Sequence, residues 1–259
     1  MIKNRKTGNR ITAVYLPVIS GLLCFVILAL LVTPNITRFY VTHIKYKVND
    51  GITEDLKQSE LFADLESGKS ICFLEDSITR GSATGGIPWY QSVSPYIKGK
   101  VTNFSKSGWM VKDLIESGSS IPVSDIYVVA IGINDIIFSK NERTSPDSSE
   151  YVKRLEQLAR IIEDKSSEAK IYFITPWPIS NLNNTLDDRF DQFHDAIIEW
   201  CESEDYICID SQPIIDEVMN VDGSEKYMYD EVHPNSTNGV ALYCYAVLKA
   251  GQERKTAKL

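Results

Sequence analysis

Residues 70–79 read Ser-Ile-Cys-Phe-Leu-Glu-Asp-Ser-Ile-Thr, a short apolar run that breaks into two acids and a serine. Ser70–Leu74 has the length and the aliphatic and aromatic content of a buried strand, and the polar break after it reads as a turn into a helix. A serine on such a turn has its hydroxyl exposed and its backbone N–H directed into the cleft, at a helix N-terminus that favours developing negative charge. Asp and Ser are also the commonest turn and N-cap residues, so this tripeptide alone decides the strand and turn but not the chemistry.

The same unit recurs downstream. Strand-like runs lie at Lys100–Phe104, Asp125–Ile131, Lys170–Thr175 and Tyr206–Ile209. Between them the apolar spacing is helical, in Tyr151, Leu155, Leu158 and Ile162 and again in Phe190, Phe193, Ile197 and Cys201. A last helix is expected over about Thr237 to Ala250. Strands alternating with helices imply crossover connections and a parallel sheet covered on both faces, with ligands gathered at the carboxyl ends of the strands. Residues 34–67 read as a stem or a short amphipathic lead-in, and residues 139–150 and 181–188 as polar loops.

The strand ends therefore carry the candidate chemistry. Gly108, after the second strand, lets the backbone approach a substrate oxygen with its N–H, or simply makes a turn. After the third strand, the Asn134 amide is placed to donate into the same cleft, and Asp135 reads as a structural cap. Near the C-terminus stands Asp230-Glu-Val-His233-Pro234. In a tight loop a carboxylate three residues before a histidine reaches its Nδ1, which fixes the tautomer and leaves Nε2 free to take a serine proton. The other two histidines lack such a context: His43 falls in the stem, and His194 in an amphipathic helix as a surface or half-buried residue.

The chain is 259 residues, 43% hydrophobic and 24% charged, ordinary globular usage that excludes collagen-like, disordered and disulfide-scaffold classes. Charge is uneven: residues 1–50 hold seven Lys/Arg and one Asp, and residues 51–259 hold 20 basic and 34 acidic side chains. An acidic body argues against nucleic acid as a partner, because that affinity comes mainly from Lys/Arg on phosphates. A neutral or sugar-like substrate fits better. The five cysteines, Cys24, Cys72, Cys201, Cys208 and Cys244, make no C-x-x-C and no Cys/His cluster, so neither a thiolate metal site nor a particular disulfide is expected.

Residues 11–33, ITAVYLPVISGLLCFVILALLVT, contain no charged side chain. As a helix, about 20 such residues cross a hydrocarbon core of about 30 Å. The run exceeds a signal-peptide core and ends Leu-Leu-Val-Thr-Pro without a small-x-small cleavage site, so a retained transmembrane anchor is expected. Lys3, Arg5, Lys6 and Arg10 precede it without an acid, which places the N-terminus in the cytoplasm and the rest of the chain outside. The expected organisation is thus a basic tail at 1–10, an anchor at 11–33, a stem at 34–67, a catalytic domain at 68–250 and a C-terminal tail at 251–259.

Taken together, the blocks EDSIT, NFSKSG, GIND and DEVHP, in that order, resemble those of the SGNH/GDSL hydrolase family. The resemblance implies a three-layer α/β/α fold with a five-stranded parallel sheet. It implies Ser77 as nucleophile, His233 as base, Asp230 as the partner of that base, and an oxyanion hole formed by the Ser77 and Gly108 N–H groups with the Asn134 side chain. No cofactor or metal is implied. One position departs from the pattern: the family usually has Gly before the Asp-Ser pair, and here stands Glu75. A positive φ or tight packing there would strain a Glu, whereas an ordinary backbone would leave its carboxylate lining the cleft or in solvent.

The expected activity is acyl transfer through a serine ester, with water or a sugar hydroxyl resolving the intermediate. The leading substrate is an O-acetyl group on a cell-surface carbohydrate. Trp89, Tyr90 and Trp177, on loops after the first and fourth strands, are candidate sugar platforms, or else they pack the core beneath those loops. A lipid-directed esterase or thioesterase is the alternative enzyme, and a glycan-binding module that retains the fold without turnover is the alternative class.

Overall fold

A computed structural model of the protein describes residue 26 and residues 32–137, 146–180 and 184–257. It divides into two compact units, Met1–Lys47 and Val48–Leu259. In the first unit, residues 32–39 are helical and continue into the π-helical turn Tyr40–Lys45, with Ile36, Phe39, Tyr40 and Ile44 exposed. The expected anchor at 11–33 lies almost wholly outside the described residues, among which no helix is long and apolar enough to cross a membrane.

The second unit starts earlier than position 68. Val48, Leu56, Leu61, Phe62 and Leu65 are buried, and α1 (Glu60–Glu66) places its apolar side chains against the C-terminal helix. Residues 48–66, read from the sequence as stem, therefore belong to the domain. Their apolar positions lie in segments too short to show a period.

Five strands follow: β1 (Ile71–Glu75), β2 (Val101–Ser105), β3 (Ile126–Ala130), β4 (Lys170–Ile174) and β5 (Ile207–Ile209). They form one parallel sheet in the order β2-β1-β3-β4-β5. Every residue of β1 and β3 is buried, as central strands covered on both faces require. The helices are α2 (Ser77–Arg80), α3 (Val111–Glu116), α4 (Ile133–Ile137), α5 (Ser148–Lys165), α6 (Asn184–Ser203), α7 (Gln212–Asp222) and α8 (Asn238–Ala257). α3, α5 and α6 pack side by side in one layer, and α1, α7, α8 and the short turn Trp89–Ser92 in the other. The three-layer α/β/α fold with a five-stranded parallel sheet is thus present.

The two helical spacings are core stripes: Tyr151, Leu155, Leu158 and Ile162 on α5, and Phe190, Phe193, Ile197 and Cys201 on α6, are all buried. α8 runs on past Ala250, and its stretch from Val240 to Ala250 is buried nearly all round, with α1, α7 and the 89–92 turn packed against it. Two expected loops are shorter than read. α5 starts at Ser148, where Asp147 accepts the Glu150 N–H at 2.8 Å, and α6 starts at Asn184; residues 139–145 and 181–183 lie outside the described residues. Cys72, Cys201, Cys208 and Cys244 are in no disulfide.

The strand order reverses between β1 and β3. In an open parallel sheet the crevice for a ligand opens at that reversal, beyond the carboxyl ends of the strands. Glu75 is level with Ser105 on one side and Ala130 on the other, so the turns after β1, β2 and β3 start side by side.

Candidate active site

Ser77 is the first residue of α2 and is 7% exposed. Asp76 caps that helix, accepting the Ile78 N–H at 2.9 Å, so Ser77 projects from a sharp strand-to-helix turn. Its N–H is one of the donors that a first helical turn leaves without an intrahelical partner.

The imidazole reaches this hydroxyl from 156 positions along the chain. His233 Nε2 lies 2.9 Å from Ser77 Oγ. His233 Nδ1 lies 2.9 and 3.0 Å from the two carboxylate oxygens of Asp230. A carboxylate only accepts, so Nδ1 carries the proton and Nε2 presents its lone pair to the serine O–H. Burial raises the Asp230 pKa, but the N–H groups of His233 and Val232, at 2.7 and 2.9 Å, together with the imidazole hold it below the usual aspartate value.

A hairpin fixes this base. The Tyr229 N–H donates to the His233 carbonyl at 2.8 Å, Met228 bridges Pro234, and the Asn235 N–H donates to the Tyr227 carbonyl at 2.8 Å. The loop after β4 grips it from the side: the Ser180 N–H donates to the Glu231 carbonyl at 2.8 Å. The Ser180 hydroxyl donates to the same carbonyl at 3.3 Å.

Gly108 and Asn134 follow the two strands that flank β1, and they are tied to each other. Gly108 is exposed with φ +77°, a left-handed conformation that glycine adopts without steric cost. Asn134 donates one amide hydrogen to the Trp109 carbonyl at 2.8 Å, which ties α4 to the Gly108 turn and leaves the second amide hydrogen for a further acceptor. Asp135 is a cap, accepting the Val111 N–H at 3.1 Å at the start of α3. Ser82 and Ser107, whose hydroxyls are 2.6 Å apart, link the α2 and Gly108 limbs.

Trp89 and Trp177 are each 1% exposed, and Tyr90 is 6% exposed. Trp89 contacts Phe73, Tyr90 and Trp177, and Trp177 stacks on Tyr243 at 4.9 Å. They are core residues and offer no open face to a sugar. The more accessible aromatics near the assembled groups are Trp109, half-buried, and Tyr229, exposed, neither of which was singled out from the sequence.

Glu75 neither lines the cleft nor meets solvent. It has an ordinary strand backbone and is fully buried, accepting the Trp89 indole N–H at 3.0 and 3.2 Å and the Thr79 hydroxyl. Burial pushes its pKa well above the usual glutamate value, which the Trp89 hydrogen bond only partly offsets. A neutral Glu75 puts no repulsive charge beside a developing oxyanion. His194, away from these groups, pairs with Asp210 at 2.9 Å on α6.

The GDSL-like lipase/acylhydrolase family model matches residues 76–237, and the chain belongs to that family, whose chemistry is ester hydrolysis. Among solved structures, it is similar to the acetylxylan esterase Axe2 of Geobacillus stearothermophilus, with 20% identity, a TM-score of 0.58, and coverage of 72% of this chain and 95% of that one. It is also similar to LAE5, an alpha/beta hydrolase from the metagenome of Lake Arreo, Spain, with 20% identity, a TM-score of 0.57, and coverage of 71% and 95%. At such identity these likenesses establish the fold. No curated protein matches the chain significantly.

Proposed function

We propose that the protein is a serine esterase that works through an acyl-serine intermediate and removes or transfers O-acetyl groups on a cell-surface carbohydrate. The observation that carries this is the unbroken relay from Asp230 through His233 to Ser77, with both links at 2.9 Å. As the Ser77 oxygen bonds to the ester carbon, His233 Nε2 takes its proton. The carbonyl oxygen becomes anionic and is met by the Ser77 and Gly108 N–H groups and the free Asn134 amide hydrogen. The imidazolium returns the proton to the departing alcohol, and water or a sugar hydroxyl then attacks the acyl-serine with His233 again as base.

Turnover is favoured over a binding module by Glu75, whose unstrained backbone and buried acid leave the oxyanion donors unopposed. The acetyl-carbohydrate substrate is supported by the acidic surface and by the accessible Trp109 and Tyr229. Residues 11–33 are proposed as a single transmembrane anchor, with residues 1–10 cytoplasmic and the catalytic domain extracytoplasmic, beside the glycan.

Activity-based labelling with a fluorophosphonate tests the chemistry: Ser77 is the expected site, with labelling abolished in Ser77→Ala and weakened in His233→Ala. Absence of label on folded wild-type protein would favour the binding module. Faster cleavage of laurate than of acetate esters would exclude the carbohydrate-acetyl substrate in favour of a lipid. Acetate balance on purified glycan, with and without a donor ester, separates hydrolysis from transfer. Protease accessibility of the domain on sealed cells checks the orientation.

A further inference from the structure

Asp76 and Asp135 are both fully buried, and each adjoins one of the proposed oxyanion donors. Asp76 precedes Ser77 and caps α2 through the Ile78 N–H. Asp135 follows Asn134 and caps α3 through the Val111 N–H, three residues beyond Gly108. Between them the two side chains set the start of both helices and so the relative position of all three donors. Asp76 Oδ2 is buried without a hydrogen-bond partner among the described residues. An ionised carboxylate with an unpartnered buried oxygen is far costlier than the neutral acid.

The charges that face the pair divide unevenly. The Arg154 guanidinium from α5 pulls Asp135 toward ionisation, against Asp113 from α3, and Arg189 from α6 also senses the Asp135 charge. Among the described residues no cation acts on Asp76: Glu75 on β1 and Asp135 are its acidic neighbours, and the Tyr151 and Tyr243 phenols its other titratable ones.

We propose that Asp76 is a positioning residue of the oxyanion hole that acts as a neutral acid, capping the nucleophile's helix while Asp135 takes whatever negative charge the pair holds. A carboxylate at Asp76 would make the same cap but would place a negative charge directly behind the proposed Ser77 donor. Burial is the main effect on both acids and pushes each up to about 7; the Asp135 charge adds to the rise at Asp76, whereas the Arg154 charge opposes the rise at Asp135. The catalytic part of the inference rests on the esterase function proposed above; the protonation part does not.

The test compares Asp76→Asn with Asp76→Ala in the full chain. Asn reproduces the cap and the neutral state. Asp76→Asn is expected to keep the rate of Ser77 labelling and kcat on an acetate ester within about threefold at pH 7. It should also lack the fall in kcat expected of wild type as pH rises above about 7 and Asp76 ionises. Asp76→Ala is expected to lower kcat roughly 10²-fold with little change in KM. Folded Asp76→Asn as slow as Asp76→Ala, or with an undiminished alkaline fall, would overturn the inference.

Two readouts stand apart from activity. A folded pKa above the unfolded value makes the Asp76 contribution complete below about 4 and lost as pH rises to about 7, so Asp76→Asn should flatten the fall in stability across that window. Carboxyl-carbon NMR of wild type should show Asp76 titrating near 7 rather than near 4. If wild-type Ser77 takes no label, the esterase assignment fails and these two readouts alone decide the protonation state of Asp76. An Asp76 carboxyl already ionised at pH 5 overturns the inference, whatever the activity.

Discussion

The Glu75 carboxyl lies within hydrogen-bond reach of the Trp89 indole N–H, at 3.0 and 3.2 Å, and neither residue meets solvent. With the Thr79 hydroxyl on the same carboxyl, this contact ties the last residue of β1 to the last turn before Gly81 and to the 89–92 turn. Ser77 sits between Glu75 and Thr79, so the acid that departs from the family pattern braces the turn on which the proposed nucleophile stands. Replacing Glu75 by Ala would leave two buried donors without an acceptor, a loss of about 1–3 kcal/mol for each. A clear drop in the thermal midpoint is expected for Glu75→Ala, and a much smaller one for Glu75→Gln, which still accepts; equal melting curves would contradict the bracing role.

Trp89 and Trp177 belong to the core, so their substitution should be felt in folding. Trp177→Phe is expected to lower the unfolding midpoint while leaving KM for an acetylated sugar close to wild type. A selective rise in KM at unchanged stability would restore these rings to the substrate site. Trp89 and Trp177 show where the sequence runs out: an aromatic residue in a loop after a strand reads the same whether the loop lifts it over the cleft or folds it beneath. The partner that settles Trp89 is Glu75, read from the sequence only as a departure.

The oxyanion donors carry the next expectation. Asn134→Ala removes the amide hydrogen offered to the anion and also frees the Trp109 carbonyl. A fall in kcat of roughly 10²–10³-fold is expected, with KM changing far less. Loss confined to KM would mean that Asn134 binds the ground state only. Gly108→Ala should be harmful for a different reason, since its φ of +77° is strained for any residue with a Cβ.

Substituting Asp230 by Asn keeps the hairpin side chain's size, but the Val232 and His233 N–H groups hold the remaining oxygen, so the amide NH2 faces His233 Nδ1 where the second carboxylate oxygen held its proton. Steady-state kinetics of Asp230→Asn should show kcat lower by roughly 10³–10⁴-fold. A variant within a few-fold of wild type would show that the tautomer is set by something other than Asp230. The Asp230–His233 contact was legible in advance because three positions separate the residues. The Ser180 clamp on Glu231 was not, since it joins two loops 51 positions apart and its acceptor is a main-chain carbonyl that any residue supplies.

A pH dependence separate from the reaction comes from His194 and Asp210, whose 2.9 Å contact joins α6 to the end of β5. Burial lowers the His194 pKa, but the hydrogen bond and charge of Asp210, with a smaller contribution from Asp195, raise it overall. A folded value above the unfolded one means the contribution is complete below about 6.5 and is lost as pH rises through the folded value. His194→Gln should therefore destabilise the protein more at pH 5.5 than at pH 8.5 in denaturant titrations. The reverse order would contradict a charged His194 in the folded state.

The architecture was legible where the signals are local and periodic. Each strand was placed to within two residues, and the stripes on α5 and α6 were read residue by residue, because a sheet covered on both faces demands continuous apolar runs and its helices demand one apolar side. Residues 48–66 escaped because Val48 and Leu56 are buried from segments of three residues each, too short for a repeat to show.

Rapid-quench mass spectrometry during turnover of a small acetate ester tests the central claim most directly. The result expected is one acetyl group on the peptide that carries Ser77, formed faster than steady-state turnover and absent in Ser77→Ala. Turnover with no acetyl group on that peptide, or unchanged turnover in Ser77→Ala, would contradict a covalent mechanism through this serine.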